Sequence, residues 1–178
     1  PMDLVKSDYE DLGETMTYMY GSAEVIGLMM SRLMGLEEAA LPYARLLGRA
    51  MQYINFLRDI REDLELGRTY LPRGEMRALG LSSLEETETR ARPEAFREFV
   101  SGQIARYRIW QSEAEKGYAF IPRRCRVPIM TAAEMYGWTA GRIEADPFVV
   151  YRRKVRPSRA RISVTGLRKA LKPGRDIR

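Results

Sequence analysis

Histidine is absent from the 178 residues, and cysteine occurs once, at position 125. Without imidazole there is no Ser-His-Asp or Cys-His catalysis, and a single thiol makes neither a disulfide framework nor a cysteine zinc site. Any metal bound here must therefore be held by oxygen. No apolar run approaches the roughly 18 residues needed to cross a bilayer, and there is no glycine-rich phosphate loop, internal repeat or low-complexity stretch. No basic n-region followed by an apolar h-region opens the chain, so a cytoplasmic location is expected. Hydrophobic residues at 45% and charged residues at 30% give a globular composition, on a length that suits one domain with a proper core.

The net charge of +6 is unevenly spread. From Arg152 to Arg178 eleven Lys or Arg face one acid, Asp176, whereas the first 151 residues hold 19 bases and 23 acids. The expected organisation is a helical domain over 1–151 followed by a basic C-terminal tail over 152–178. Such a tail suits nucleic acid, anionic lipid headgroups or a phosphorylated ligand, and composition does not choose among them; a solvated, partly disordered end is the plain alternative.

Apolar residues recur at three and four, sustained alternation is nowhere seen, and Ala, Leu, Met, Glu and Arg dominate, so the class is all-α. Ser7 and Glu10 have capping-box spacing and predict a first helix running to Gly35. A second helix is expected from about Glu37 to Leu66, stopped by Gly67, with residues 67–74 as a loop and a short helix near Glu75 to Ala78. Ser83 and Glu86 repeat the capping spacing. A long helix from Pro93 to Ile121 carries Phe96, Phe99, Val100, Tyr107 and Trp110 on one side, and Pro122 ends it. A last helix, about Val127 to Ala145, stops before Asp146-Pro147.

The chemistry concentrates in Gln52-Tyr-Ile-Asn55-Phe-Leu-Arg58-Asp59-Ile-Arg-Glu62-Asp63, inside the second helix. At about 100° per residue, Gln52, Asn55, Asp59 and Asp63 share an arc of roughly 80°. Asp59 and Asp63 are four apart, where like charges repel by a few tenths of a kcal/mol on an exposed helix. A divalent cation would remove that repulsion, and hard cations such as Mg²⁺ take carboxylate and amide oxygens while bridging to substrate phosphates. A bare D-x-x-x-D on a charged helix is more often a solvated face, balanced here by Arg58 and Arg61. Gln52 and Asn55 argue for more, because they put amides where a bundle helix of this length would present Leu or Ile.

Gln52-x-x-Asn55-x-x-Arg58-Asp59-x-x-Glu62-Asp63, followed by Gly67-Arg68-x-Tyr70-Leu71-Pro72, resembles the second aspartate-rich motif and following loop of the squalene and phytoene synthases. Tyr18 to Gly27 is similar to the Tyr-initiated helix that family carries before a Val-Gly pair. Ala132-Ala-Glu-Met-Tyr136 and Val150-Tyr-Arg-Arg153-Lys-Val155 resemble its closing helix and basic end. The resemblance implies an isoprenoid-synthase helical bundle and head-to-head condensation of two prenyl diphosphates, farnesyl or geranylgeranyl, through a cyclopropyl intermediate to squalene or phytoene. It implies Mg²⁺ held by Asn55, Asp59 and Asp63, with Gln52 lining the diphosphate pocket and Arg58, Arg68 and Arg153 on diphosphate oxygens. Tyr18 would lie against the reacting centre and Tyr136 in the pocket. NADPH would be needed only for squalene as product.

Against these stand ordinary readings of the same residues: Tyr18 and Tyr136 as half-buried tyrosines, Arg68 as a cap on the second helix, Cys125, Trp110 and Trp138 as packing. The family uses two aspartate-rich motifs on facing helices, and this sequence carries one; its first residues correspond to the point where the family has finished its first helices. Half of the metal site and one wall of the cavity are thus expected to lie outside these 178 residues. The alternative is a shortened, catalytically inactive relative serving as a binding or assembly protein. Glu24 stands where many members have glycine. The partners expected are prenyl diphosphates and, through the basic tail, the surface of an anionic membrane; a nucleic-acid reading would rest on the tail alone and is not favoured. The sequence leaves the oligomeric state open.

Overall fold

The structure is a computed structural model and describes residues 6–171. Among these residues it is all-α, and the extended pairing is an isolated parallel bridge between Asp8 and Thr69. The elements are α1 (Leu12–Met19), a π turn (Tyr20–Glu24), α2 (Val25–Leu33), a 3₁₀ turn (Glu38–Ala40), α3 (Leu41–Arg58), α4 (Ile60–Glu65), α5 (Arg73–Ala78), α6 (Glu86–Ala91), α7 (Pro93–Glu115), a 3₁₀ turn (Lys116–Phe120), α8 (Arg123–Ala145), α9 (Val149–Arg152) and α10 (Arg159–Leu171). None of these helices is long and apolar enough to cross a membrane.

The first helix starts one turn later than the Ser7–Glu10 spacing predicts. Asp11 caps α1 by accepting from the Glu14 N–H at 2.9 Å, and Glu14 accepts from the Glu10 N–H at 2.7 Å. Residues 7–10 have another use for their backbone: Ser7, Tyr9 and Glu10 carbonyls accept from Thr69, Arg73 and Gly74 at 2.7, 3.0 and 2.8 Å. Ser83 likewise does not cap α6, whose N-cap is Glu85 without a side-chain bond. The expected helix of about thirty residues is divided at Asp59, where φ −101° and ψ 14° leave the helical region, so α3 ends and α4 begins around the first carboxylate. Gly67 at φ +69° closes α4, and the Arg68 N–H reaches back to the Asp63 carbonyl at 2.8 Å, a Schellman-type end.

Helix α3 is the central strut, packed on α2, α7 and α8. Its buried face presents Tyr53, Ile54 and Leu57 to the Phe96, Phe99, Val100 and Ile104 face of α7. On its other side the approach to α2 is so close that a Cβ on Gly48 would lie 2.5 Å from the Ala23 carbonyl, and one on Gly27 2.4 Å from that of Ala44. Beside this contact Glu24, at the end of the π turn, is fully buried, where glycine would have left room. Its carboxylate accepts from Arg49 Nε at 2.7 Å and Arg45 Nε at 3.0 Å across the α2–α3 seam. Burial of a carboxylate is tolerated when two guanidiniums satisfy it.

The basic tail is not an unstructured end throughout: α10 folds back onto α8, with Thr165 buried against it and Lys169 Nζ 2.9 Å from Glu134 Oε2. Residues 172–178, the last part of the predicted tail, lie outside the described residues.

The Gly48 contact is testable. Gly48→Ala meets backbone and should cost about 1–3 kcal/mol, overriding the gain of roughly 1 kcal/mol that alanine brings to a helix interior. Gly102→Ala in α7, where the added Cβ meets nothing within 4 Å, should instead stabilise. Urea midpoints that moved the same way for both would refute the close-contact account.

Candidate functional site

The carboxylates gather where α3 gives way to α4. Arg58 donates to Asp59 with both arms of its fork, Nε to Oδ1 at 2.8 Å and Nη2 to Oδ2 at 2.6 Å. Lys154 Nζ lies 3.0 Å from Asp59 Oδ1 and also donates to Glu62. Burial works to raise the Asp59 carboxyl, but the bonds from Arg58 and Lys154 outweigh it and hold it below the ordinary carboxylate range. Asp63 has the opposite environment. Burial, then the charges of Asp59 and Glu62, push its carboxyl up to about 7, against the opposing pull of Lys154 and Arg68.

One turn earlier, Asn55 Oδ1 is buried with no hydrogen-bond partner. An orphaned carbonyl oxygen, a carboxylate short of positive charge, and a second carboxylate already drawing two cations form the donor set of a hard cation. Among the described residues no three acidic, His or Cys side chains are grouped to hold a metal by themselves. Asn55, Asp59 and Asp63 therefore fit Mg²⁺ as one side of a site, with the remaining oxygens to come from elsewhere, substrate included.

The other expected residues fall into three groups. Arg58 and Tyr136 line one cavity of about 590 Å³ between α8 and α10, whose remaining wall includes Val127, Met135 and Ile162. A second apolar cavity of about 390 Å³ lies between α2, α3 and α8, lined by Met30, Met34 and Met51 among others, and shares Pro128 and Ala132 with the first. Tyr18 belongs to an aromatic cluster, its ring 4.9 Å from Tyr70 and 6.0 Å from Phe56, and Arg68 Nη1 bonds the Tyr70 hydroxyl at 3.3 Å. Gln52 is half-buried on α3, and Arg153 is exposed just after α9.

Sequence reasoning missed Lys154. Its position beside Arg153 in a basic run offered no reason to prefer one over the other; Tyr151 and Val155 are buried, and that register turns Lys154 toward the carboxylates. Tyr70 and Phe56, which fix the Tyr18 ring, were visible only as neighbours of the acidic motif.

The all-α architecture, with its acidic segment at the α3–α4 junction, is of the isoprenoid-synthase type. The sequence profile of "Squalene/phytoene synthase" matches residues 1–164, and the chain belongs to that family. A chloroplastic phytoene synthase of an Oncidium hybrid cultivar is 34% identical over 167 residues, covering 90% of this chain and 40% of the relative. A chloroplastic phytoene synthase 2 of Solanum lycopersicum is 33% identical over 171 residues, covering 92% and 55%. This chain thus spans about two fifths to a little over half of these relatives. Among solved structures, YisP of Bacillus subtilis superposes with a TM-score of 0.76 at 19% identity, covering 90% of this chain and 65% of that one. Squalene synthase HpnC of Alicyclobacillus acidocaldarius gives 0.75 at 21%, covering 83% and 56%.

The raised Asp63 carboxyl makes a pH prediction. Folding takes its pKa from the ordinary 3.8 to about 7, so the folded chain keeps a proton that the unfolded chain gives up. The stability this group contributes is full below about pH 4 and is lost as pH rises through about 7. Without divalent cation, Asp63→Asn should be more stable than the parent at pH 8 by about 1–2 kcal/mol, after allowance for partial solvent screening. The advantage should shrink toward pH 4. Urea denaturation at the two pH values checks this, and an advantage that did not change with pH would sink it.

Proposed function

We propose that this chain supplies the second aspartate-rich half of the active site of a head-to-head prenyltransferase, which joins two prenyl diphosphates into squalene or phytoene. The observation that carries the reading is the half-buried Asn55–Asp59–Asp63 arc, with the buried, unpartnered Asn55 Oδ1 on it and its neighbour Arg58 lining the 590 Å³ cavity, in a chain of this family. Mg²⁺ bound there would offset the charge of a departing diphosphate.

The side chains divide the work. Asn55, Asp59 and Asp63 would hold the cation, and deprotonated Asp63 would be favoured once the cation is bound. Arg58, now paired with Asp59, would turn its fork to diphosphate oxygens from the cavity wall it shares with Tyr136. Arg68, Gln52 and Arg153 are proposed as further diphosphate contacts. Tyr18, held by Tyr70 and Phe56, would present a fixed aromatic ring to the allylic cation. When the C1–O bond of one substrate ionises, its diphosphate leaves and the double bond of the second substrate attacks C1. Loss of a proton closes the cyclopropane. A second ionisation and rearrangement would then end in loss of a proton for phytoene, whereas for squalene NADPH would supply a hydride in place of that loss. Methionine-lined apolar walls exclude water from the cations.

The test uses both turnover and binding. In the full-length protein, Asp59→Ala with Asp63→Ala should lower Mg²⁺-dependent product formation from farnesyl or geranylgeranyl diphosphate by about 10²–10³ or more. Mg²⁺ with inorganic pyrophosphate should raise the melting temperature of the parent by several degrees and leave the double variant unmoved. Unchanged turnover, or equal melting shifts, would overturn the assignment and favour a non-catalytic binding protein.

A further inference from the structure

Helix α10 has its polarity reversed relative to an ordinary surface helix. On a wheel of about 100° per residue, Thr165, Lys169, Ile162 and Gly166 occupy one side, and this side faces the protein. Thr165 is buried, Lys169 pairs with Glu134, and Ile162 and Gly166 line the 590 Å³ cavity. Arg161 lies over the Trp138 ring, 5.0 Å from its centroid. Thr165, Gly166 and Lys169 are thus used inward, together with Ile162.

The outward side is apolar. Ala160, Val164, Leu167 and Leu171 follow at intervals of four, three and four, and Val164, Leu167 and Leu171 are 67%, 62% and 73% exposed. A helix stabilised by water alone would show the opposite arrangement. Arg159 stands exposed on one edge of this stripe, with exposed Arg153 and Arg156 in the segment leading into the helix, while Arg168 on the other edge pairs with Glu134. From Arg152 onward the sequence carries eleven bases against one acid.

That charge selects the occupant. A second copy of the chain would set one strongly basic segment against another. A bilayer with anionic headgroups offers hydrocarbon to the aliphatic stripe and phosphate to the guanidiniums that flank it, the combination that holds amphipathic helices in the interfacial plane. We propose that α10 docks the protein on an anionic lipid surface, with Val164, Leu167 and Leu171 entering the boundary between headgroups and acyl chains and Arg156 and Arg159 on lipid phosphates. The cavity walled by Ile162, Gly166, Arg58 and Tyr136 then lies on the inner side of the docked helix. This inference stands apart from the reaction proposed above, since it uses neither the carboxylates nor turnover.

Vesicle co-sedimentation of the purified protein tests it. Mixed phosphatidylglycerol and phosphatidylcholine vesicles should retain the protein, phosphatidylcholine alone should retain it at least tenfold less, and added salt should weaken the anionic binding. Val164→Asp with Leu167→Asp should reduce partitioning onto anionic vesicles at least tenfold, as should Arg156→Glu with Arg159→Glu. Both variants alter only exposed side chains, so melting temperature and pyrophosphate binding should be preserved. Equal binding to neutral and anionic vesicles, or undiminished binding by Val164→Asp with Leu167→Asp, would overturn the proposal. So would a vesicle-independent dimer, seen by sedimentation velocity, that these aspartates dissociate while vesicle binding is absent.

Discussion

Two carboxylates one helical turn apart, half withdrawn from water, are the constraint that the surrounding structure meets. In a low-dielectric setting the repulsion between Asp59 and Asp63 exceeds what the same spacing costs on an exposed helix. Three features relieve it. The helix is divided at Asp59, Arg58 turns its fork onto that carboxylate, and Lys154 comes in from a segment ninety residues away. Delivering Lys154 requires α9 to dock on the rest of the chain. Tyr151 does this with its hydroxyl on the Leu84 carbonyl at 2.7 Å and its own carbonyl under Arg61 Nη1 at 3.0 Å. The core residues Val149, Val150, Tyr151 and Val155 are therefore tied to the electrostatics of the acidic face. Asp63 is left short of positive charge, which is the condition under which a cation is bound most strongly.

Much of the fold could be read from local signals because they act locally. Gly67 before a loop, Pro93 at a helix start and Asp146-Pro147 after α8 each constrain their own backbone, and those boundaries stand where the residues put them, whereas α7 ends already at Glu115, a 3₁₀ turn carries the chain to Phe120 before Pro122, and α8 starts at Arg123 rather than Val127. The signals that misled were those with tertiary rivals. Ser7–Glu10 has cap spacing, yet its backbone is taken by the loop around Thr69; Ser83–Glu86 has it too, and Ser83 instead accepts from the Glu85 N–H at 3.3 Å. The break at Asp59 leaves no mark in apolar periodicity, since no proline or glycine stands at the point of change, and the π turn before Val25 is marked only by Gly21. Helix α10 was hidden for a different reason. Its charge reads as a solvated tail, and only its contacts with Glu134 and Trp138 show which of its two sides faces inward.

The acidic face of the site was legible because residue type and spacing carry it: two acids and two amides on one arc have few structural uses in a buried helix. Its partners were less so. Arg153 and Lys154 are adjacent cations whose separate fates depend on which neighbours are buried. The burial of Glu24 is similarly decided by three-dimensional company. Arg45 and Arg49 are the residues one and two turns along α3 that meet the carboxylate, and nothing in their spacing marks them as partners of position 24.

The acidic motif also governs the aromatic centre through the chain that leaves it. Gly67, with its positive φ, turns the backbone sharply after Asp63, and Arg68 caps that turn. Two residues later Tyr70 stacks on Phe56, at 4.5 Å, and on Tyr18, at 4.9 Å, while its carbonyl accepts from Thr15 Oγ1 at 3.0 Å. Tyr9 closes the cluster from the segment that pairs with the same loop, 5.7 Å from Tyr70. Phe56 is on α3 itself, between Asn55 and Asp59. A change in how α3 passes into α4 must therefore shift Phe56 and the 67–72 loop together, and with them the ring of Tyr18. The carboxylates and the proposed aromatic wall share one rigid support, so the position of a bound cation and the position of the ring that would face a carbocation are set by the same turn of backbone.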